Sequence, residues 1–298
     1  MIAELASLAH PADKPALAPS GTVFGHPRQL LGNRFVYTVI SPRARGLSIG
    51  VNMNPDRRCN FNCRYCEVDR AKPPLEKLLD VEAMADELQR TLWLACSGEL
   101  RNYQGYRQAP GDLLELRQVA LSGDGEPTLN PNFLDVVRAV VHARALGRFP
   151  FFKIVLLTNA TGLDSPPVQE GLKLFTQADE IWAKLDAGTQ FHMNRVNRAN
   201  CSLEKILANI LLVARQRPVI IQSLFPLLEP GEPTVEEVEE YAQRLNELKL
   251  AGAQIPLVQI YSASRPTTHP ECGHLPLKAL AQIAQRVREV SGLKAEVF

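Results

Sequence analysis

The strongest constraint on the fold is an alternation along the chain. From residue 47 onward, short apolar or mixed runs alternate with longer stretches of helical period. The runs 47–53, 118–122, 153–158, 180–186, 219–224 and 257–262 are bounded by Gly, Pro, Asn or Asp, as buried strands are. An earlier strand is predicted at 35–40, with Ser41-Pro42 as its turn signal. Val81, Met84, Leu88 and Leu92 mark one helix face behind Asp80, a plausible N-cap. Further helices are predicted over 133–146, closed by Gly147, over 168–175 and over 203–215. Thr234-x-x-Glu237 forms a capping box for the next, which turns Val238, Tyr241, Leu245 and Leu248 inward and stops at Gly252; the last covers 277–290. Six βα units in series predict an α/β fold, a parallel sheet with helices outside.

The predicted strands end in polar residues: Asn52 and Asn54, Ser122 and Asp124, Thr158 and Asn159, Lys184 and Asp186, Gln222 and Ser223, Gln259 and Ser262. In (β/α) barrels the carboxyl ends of several strands together face the site, so this convergence locates the chemistry there.

Composition narrows the class. With 298 residues, 45% hydrophobic and 22% charged, the chain can bury a large core. The formal charge of +1 argues against a strong global pull toward nucleic acid or an anionic membrane surface, and leaves room for a local patch. No apolar run reaches the roughly 18–20 residues that span a bilayer. The first twenty residues lack a signal-peptide pattern, so a cytoplasmic location is expected. Residues 1–45 read as a tail and extension, and 46–298 as one core domain.

Three of the six cysteines fall within eight positions, in Cys59-Asn60-Phe61-Asn62-Cys63-Arg64-Tyr65-Cys66, directly after the first predicted strand of the series. In a reducing compartment such a cluster points to metal or catalysis. Three thiolates from one loop can each take one iron of a 4Fe–4S cubane and leave the fourth iron open. A methionine amino group and carboxylate can chelate that iron and hold a sulfonium against the cluster. Two other readings stay open: three small core residues on one helix face, and a structural zinc with a fourth ligand from His269, Cys272 or His274. Cys96, Cys201 and Cys272 are scattered and read as idle thiols.

With these residues the chain resembles the radical S-adenosylmethionine superfamily, whose mark is Cys-x3-Cys-x-aromatic-Cys after the first barrel strand. The resemblance runs from Leu47 to Ser262 and implies a partial (β/α)6 TIM-like barrel, open along one side. It implies a 4Fe–4S cluster on Cys59, Cys63 and Cys66, and S-adenosyl-L-methionine as cofactor. Tyr65 takes the position near the adenine. Ser122-Gly123-Asp124-Gly125-Glu126-Pro127 is similar to the family's Gly-Gly-Glu element at the cofactor's amino group, with Asp124 where many members carry Gly. Asn159, Lys184 and Asp186 match strand ends that meet the cofactor's carboxylate and ribose; Gln222 and Gln259 are weaker candidates. The segment 46–70 together with Gly-Asp-Gly-Glu-Pro-Thr is similar to a bacterial branch grouped with the wyosine-type tRNA-modifying enzymes.

The resemblance implies a 5′-deoxyadenosyl radical acting on a small molecule or a nucleoside, with flavodoxin or ferredoxin as electron donor. The alternatives are a glycyl-radical activase acting on a protein backbone, and an iron–sulfur or zinc protein without turnover. Arg57, Arg58, Arg64 and Arg70 ring the cysteine loop, either as solvated charges or to steer an acidic partner. A tRNA partner finds no support in the net charge, and Tyr103 and Tyr106 are a thin basis for RNA stacking. Their segment, 98–112, is expected to be a lid or substrate-side loop.

Overall fold

A computed structural model describes residues 30–298 apart from positions 75, 230, 264 and 266. The first 29 residues of the expected tail therefore lie outside the described residues. The core is an eight-stranded sheet in the order β1(Val36–Ser41), β2(Gly46–Asn52), β3(Leu116–Ser122), β4(Lys153–Thr158), β5(Glu180–Lys184), β6(Ile220–Leu224), β8(Val258–Tyr261), β10(Ala295–Val297). Strands β2 to β6, β8 and β10 run parallel, while β1 pairs antiparallel with β2. The six predicted strands are the six contiguous parallel ones from β2 to β8. The sheet has two edges, so it is a TIM-like barrel left open.

The helices are α1(Val81–Ser97), α2(Phe133–Ala145), α3(Pro166–Leu172), α4(Gln190–Asn197), α5(Leu203–Ala214), α6(Val235–Leu250) and α7(Leu277–Ser291). Their start signals work as chemistry: Asp80 accepts from the Ala83 amide, and Thr234 and Glu237 form the reciprocal capping box. Strand alternation splits the sheet into two faces. Ile49, Val51, Val119, Leu121, Ile154, Leu156, Ile181, Ile221 and Ile260 pack into one core with the helices. The opposite, concave face carries Ser48, Gln118, Trp182, Lys184, Gln222, Gln259 and Tyr261. It is mostly polar, which is what an interior that receives a ligand requires.

Helix α4 and strand β10 have no predicted counterpart, and three further features depart from expectation. Helix α3 starts two residues early, because Pro166 and Pro167 fit its first turn after Ser165. A small antiparallel pair, β7(Pro226–Leu228) with β9(Cys272–His274), sits beside the main sheet. The segment 98–112 is neither lid nor substrate-side loop. It joins the end of α1 to the start of β3, and a helix-to-strand connection returns to the amino ends of the strands, opposite the cysteine loop. There Tyr106 is fully buried with Leu30, Leu47 and Leu100, and its hydroxyl bonds Thr38 Oγ1 at 2.5 Å. That burial removes Tyr106 as a stacking platform for RNA bases.

One ion pair fastens the frame. Arg144 at the end of α2 grips Asp179 just before β5 at 2.6 and 3.0 Å, and Asp179 also accepts from the amides of Ile154 and Thr176. Burial alone would raise the Asp179 carboxyl, but these donors outweigh it and hold its pKa below the usual value.

Candidate functional site

The cysteine loop leaves the carboxyl end of β2 and is held from three sides. Its amides at Asn62 and Arg64 donate to the carbonyls of Asn197 and Val196 at the end of α4, at 3.0 and 2.9 Å. The Thr268 amide and hydroxyl both donate to the Cys66 carbonyl, at 2.9 and 3.0 Å. The Glu126 amide donates to the Arg58 carbonyl at 2.9 Å. Arg57 and Arg70 staple this loop, donating to the carbonyls of Asp69 and Lys72 and of Phe61.

Cys59, Cys63 and Cys66 are free thiols, each partly buried. Donors are aimed at two of them: Asn197 Nδ2 lies 3.5 Å from Cys63 Sγ, and the Phe61 amide 3.4 Å from Cys59 Sγ, with Asn159 Nδ2 farther at 3.9 Å. Burial pushes the Cys59 thiol up and the Cys63 thiol up to about 12, so the bare chain keeps the Cys63 thiol protonated. A metal that displaces the proton would leave a thiolate, whose negative charge is what these N–H donors stabilise.

Beside the loop, β2 and β3 end in a reciprocal pair. Asn52 Nδ2 donates to Asp124 and Asn52 Oδ1 accepts from the Asp124 amide, both at 2.9 Å. This explains Asp124 in the Gly-Gly-Glu-like element: its side chain ties the two strand ends together. Gly123 and Gly125 are required by close approach. A Cβ on Gly123 would meet Asn52 Oδ1 at 2.2 Å, and one on Gly125 would meet the Arg58 carbonyl oxygen at 2.0 Å. Glu126 is buried and accepts four hydrogen bonds: from the Thr128 amide and hydroxyl, from Thr158 Oγ1 and from the Asn159 amide. Its carboxylate is thereby saturated, and it joins the ends of β3 and β4.

Across the rim, Asp186 accepts from Lys184 Nζ at 3.1 Å, the Leu224 amide at 2.8 Å, Asn197 Nδ2 at 2.7 Å and the Tyr65 hydroxyl. Burial works against the Lys184 ammonium, but Asp186 and Tyr261 outweigh it, so its pKa rises and it stays charged. Burial, with Asp186 alongside, likewise raises the Tyr65 phenol. The structure thus brings Cys63, Tyr65, Lys184 and Asp186 into one network. Asn159 faces the other side of the loop through Asn60 Oδ1 at 2.9 Å.

Of the weaker candidates, Gln222 and Gln259 bond each other on the concave face at 3.1 Å. Ser223 and Ser262 turn away from the rim, tethering Leu185 and Phe225 carbonyls. Cys272 and His274 belong to β9, and among the described residues no three His, Cys, Asp or Glu converge as they do around one ion. A cubane asks for no such convergence, since each thiolate takes its own iron.

No family model matches the chain. A UPF0026 protein of Helicobacter pylori is 30% identical over 183 residues, 59% of this chain and 50% of that protein. A GTP 3′,8-cyclase of Synechocystis is 29% identical over 189 residues, 63% of this chain and 48% of the cyclase. The chain therefore spans about half the length of these curated relatives. A radical SAM methyltransferase from Sphaerobacter thermophilus has the same fold, with a TM-score of 0.60 at 15% identity over 88% of this chain and 68% of that one. This fold carries a C-x3-C-x2-C loop at the carboxyl end of its first parallel strand. The chain thus shares the fold of a radical S-adenosylmethionine enzyme and part of its sequence with these relatives.

The residues of this chain fit a 4Fe–4S cluster and S-adenosylmethionine on three observations. The thiols are unpaired with each other, amide donors face two of the sulfurs, and Asn54 Oδ1 is buried without a partner beside Gly125. Asn197 is the site residue that sequence reasoning missed. It closes α4, a short helix of low apolar content whose only clear signal was Thr189, the N-cap that accepts from the His192 amide.

Proposed function

We propose that this chain reductively cleaves S-adenosyl-L-methionine at a 4Fe–4S cluster on Cys59, Cys63 and Cys66, and acts on a small molecule or a nucleoside. When bound, the cluster and cofactor supply a 5′-deoxyadenosyl radical able to abstract hydrogen. The observation that carries the reading is the trio of free thiols, met by Asn197 and the Phe61 amide, at the carboxyl end of β2. The chain's own residues bind and orient. Gly123 and Gly125 let the loop after β3 lie against Asn52 and Arg58, which brings its backbone beside the cysteine loop. Lys184, kept cationic by Asp186, is suited to the cofactor's carboxylate, and Asn159 to a polar group on the other side. Tyr65, fixed by Asp186, offers a ring edge beside the third cysteine. Asp124 and Glu126 serve through their backbone, because their carboxylates are engaged in bracing strand ends. An electron donor of flavodoxin or ferredoxin type completes the reaction.

The test is anaerobic reconstitution with iron and sulfide, reduction, and addition of S-adenosylmethionine. A 4Fe–4S paramagnetic signal perturbed by the cofactor, with 5′-deoxyadenosine formed by the wild type and absent in a Cys59/Cys63/Cys66→Ala variant, is the expected result. Stoichiometric zinc with no 5′-deoxyadenosine would refute it.

A further inference from the structure

The concave face carries more positive charge than it neutralises. Lys184 Nζ lies 4.9 Å from the centroid of the Tyr261 ring and donates to its hydroxyl at 2.9 Å. The guanidinium of Arg43, from the turn between β1 and β2, lies 4.4 Å from the same centroid. Two cations thus share one ring, which attracts each of them while they repel one another. Asp186 neutralises Lys184. Arg43 has no such partner: its Nε is buried without a hydrogen-bond acceptor, and among the described residues no carboxylate pairs with it. Leaving a buried donor on a charged group unpaired is costly, and arginine's planar fork is shaped for a carboxylate or phosphate. On the same face, Gln118 Oε1 is also buried without a partner, so a polar ligand has both a donor and an acceptor to meet.

We infer that Arg43, with Tyr261 as its platform, binds an oxyanion of the substrate, a carboxylate or a phosphate, on the concave face across from the cysteine loop. This rests on the radical reading for what the substrate undergoes, but the anion site itself does not depend on it. The substrate class is a small molecule that carries such a group. Arg43, from the turn before β2, and Lys184 flank the same Tyr261 ring, so the anion end of the substrate is held beside that ring while Lys184 stays with the cofactor.

The experiment uses reconstituted protein with S-adenosylmethionine present and follows its melting temperature as inorganic phosphate or acetate is titrated, with chloride at matched ionic strength as the control. One of the two probes is expected to stabilise the wild type beyond chloride, and which one identifies the oxyanion. Arg43→Gln should weaken that probe about tenfold or more, and Arg43→Lys less, because a point charge lacks the fork. Circular dichroism establishes that both variants are folded. Unchanged probe affinity in R43Q, a chloride-like response of the wild type to both probes, or a loss of S-adenosylmethionine affinity in place of probe affinity would each overturn the inference. Wild-type 5′-deoxyadenosine formation is scored separately, so failure of the radical reading is distinguishable from failure of the anion site.

Discussion

At the scale of single residues, the environment of Cys63 is built mainly by one amide. Asn197 Nδ2 reaches Cys63 Sγ, the Tyr65 hydroxyl and Asp186 at once, at 3.5, 3.2 and 2.7 Å. Hydrogen bonds to cluster sulfurs raise reduction potential, and partners behind the ligands are commonly worth roughly 10–100-fold in affinity or activity. Asn197→Ala is therefore expected to reconstitute with a lower potential, read by electron paramagnetic resonance during redox titration, and with activity down by about 10–100-fold. An unchanged potential would show that the amide only braces Asp186. Lys184 and Asp186 were legible from strand alternation, which puts residues two apart on one side. Asn197 was not, because its partner lies 134 positions away and no local pattern announces it.

At the scale of elements, the site depends on how closely the loop after β3 lies on the cysteine loop. Gly125→Ala places a methyl 2.0 Å from the Arg58 carbonyl oxygen, which is backbone and cannot rotate aside. The expected outcome is a folded protein with iron incorporation sharply reduced, at a stability cost of about 1–3 kcal/mol from overpacking. Iron analysis beside urea denaturation checks both parts. The α2–β5 brace gives a second prediction. Replacing Asp179 with Asn leaves Arg144 buried without its anion, an expected loss of about 3–5 kcal/mol in urea denaturation at neutral pH. Because the folded Asp179 pKa is depressed, its contribution is full above the unfolded value of about 3.9 and is lost as pH falls toward the folded value. The wild type should lose that stability on acidification, and D179N should lack this part of the acid dependence.

At the scale of the whole molecule, the open sheet separates two ends with different duties. The carboxyl ends of the strands hold the cysteine loop and the network around Asp186. The amino ends are packed over by the 98–112 segment, with Tyr106 as its buried anchor. Tyr106→Ala should cost about 3–5 kcal/mol, as large aromatic truncations do, while the rate of 5′-deoxyadenosine formation by the folded fraction stays as in wild type. A changed rate at unchanged cluster content would show that this end communicates with the site. No helix among the described residues is long and apolar enough to cross a membrane.

What the sequence alone determined is what short-range physics writes into it. Six of the seven parallel strands, the helices apart from α4, and the three cysteines after β2 follow from apolar period, turn chemistry and ligand spacing, all of which act within a few residues. The tertiary structure decided what depends on contacts between distant segments. Those are the Asn52–Asp124 pair, the saturation of Glu126, the Asn197 donor, the duty of the 98–112 segment and the unpaired Arg43 beside Tyr261. Each joins polar groups from separate strands or loops, and hydrogen-bonding partners of that kind leave no periodic trace along the chain.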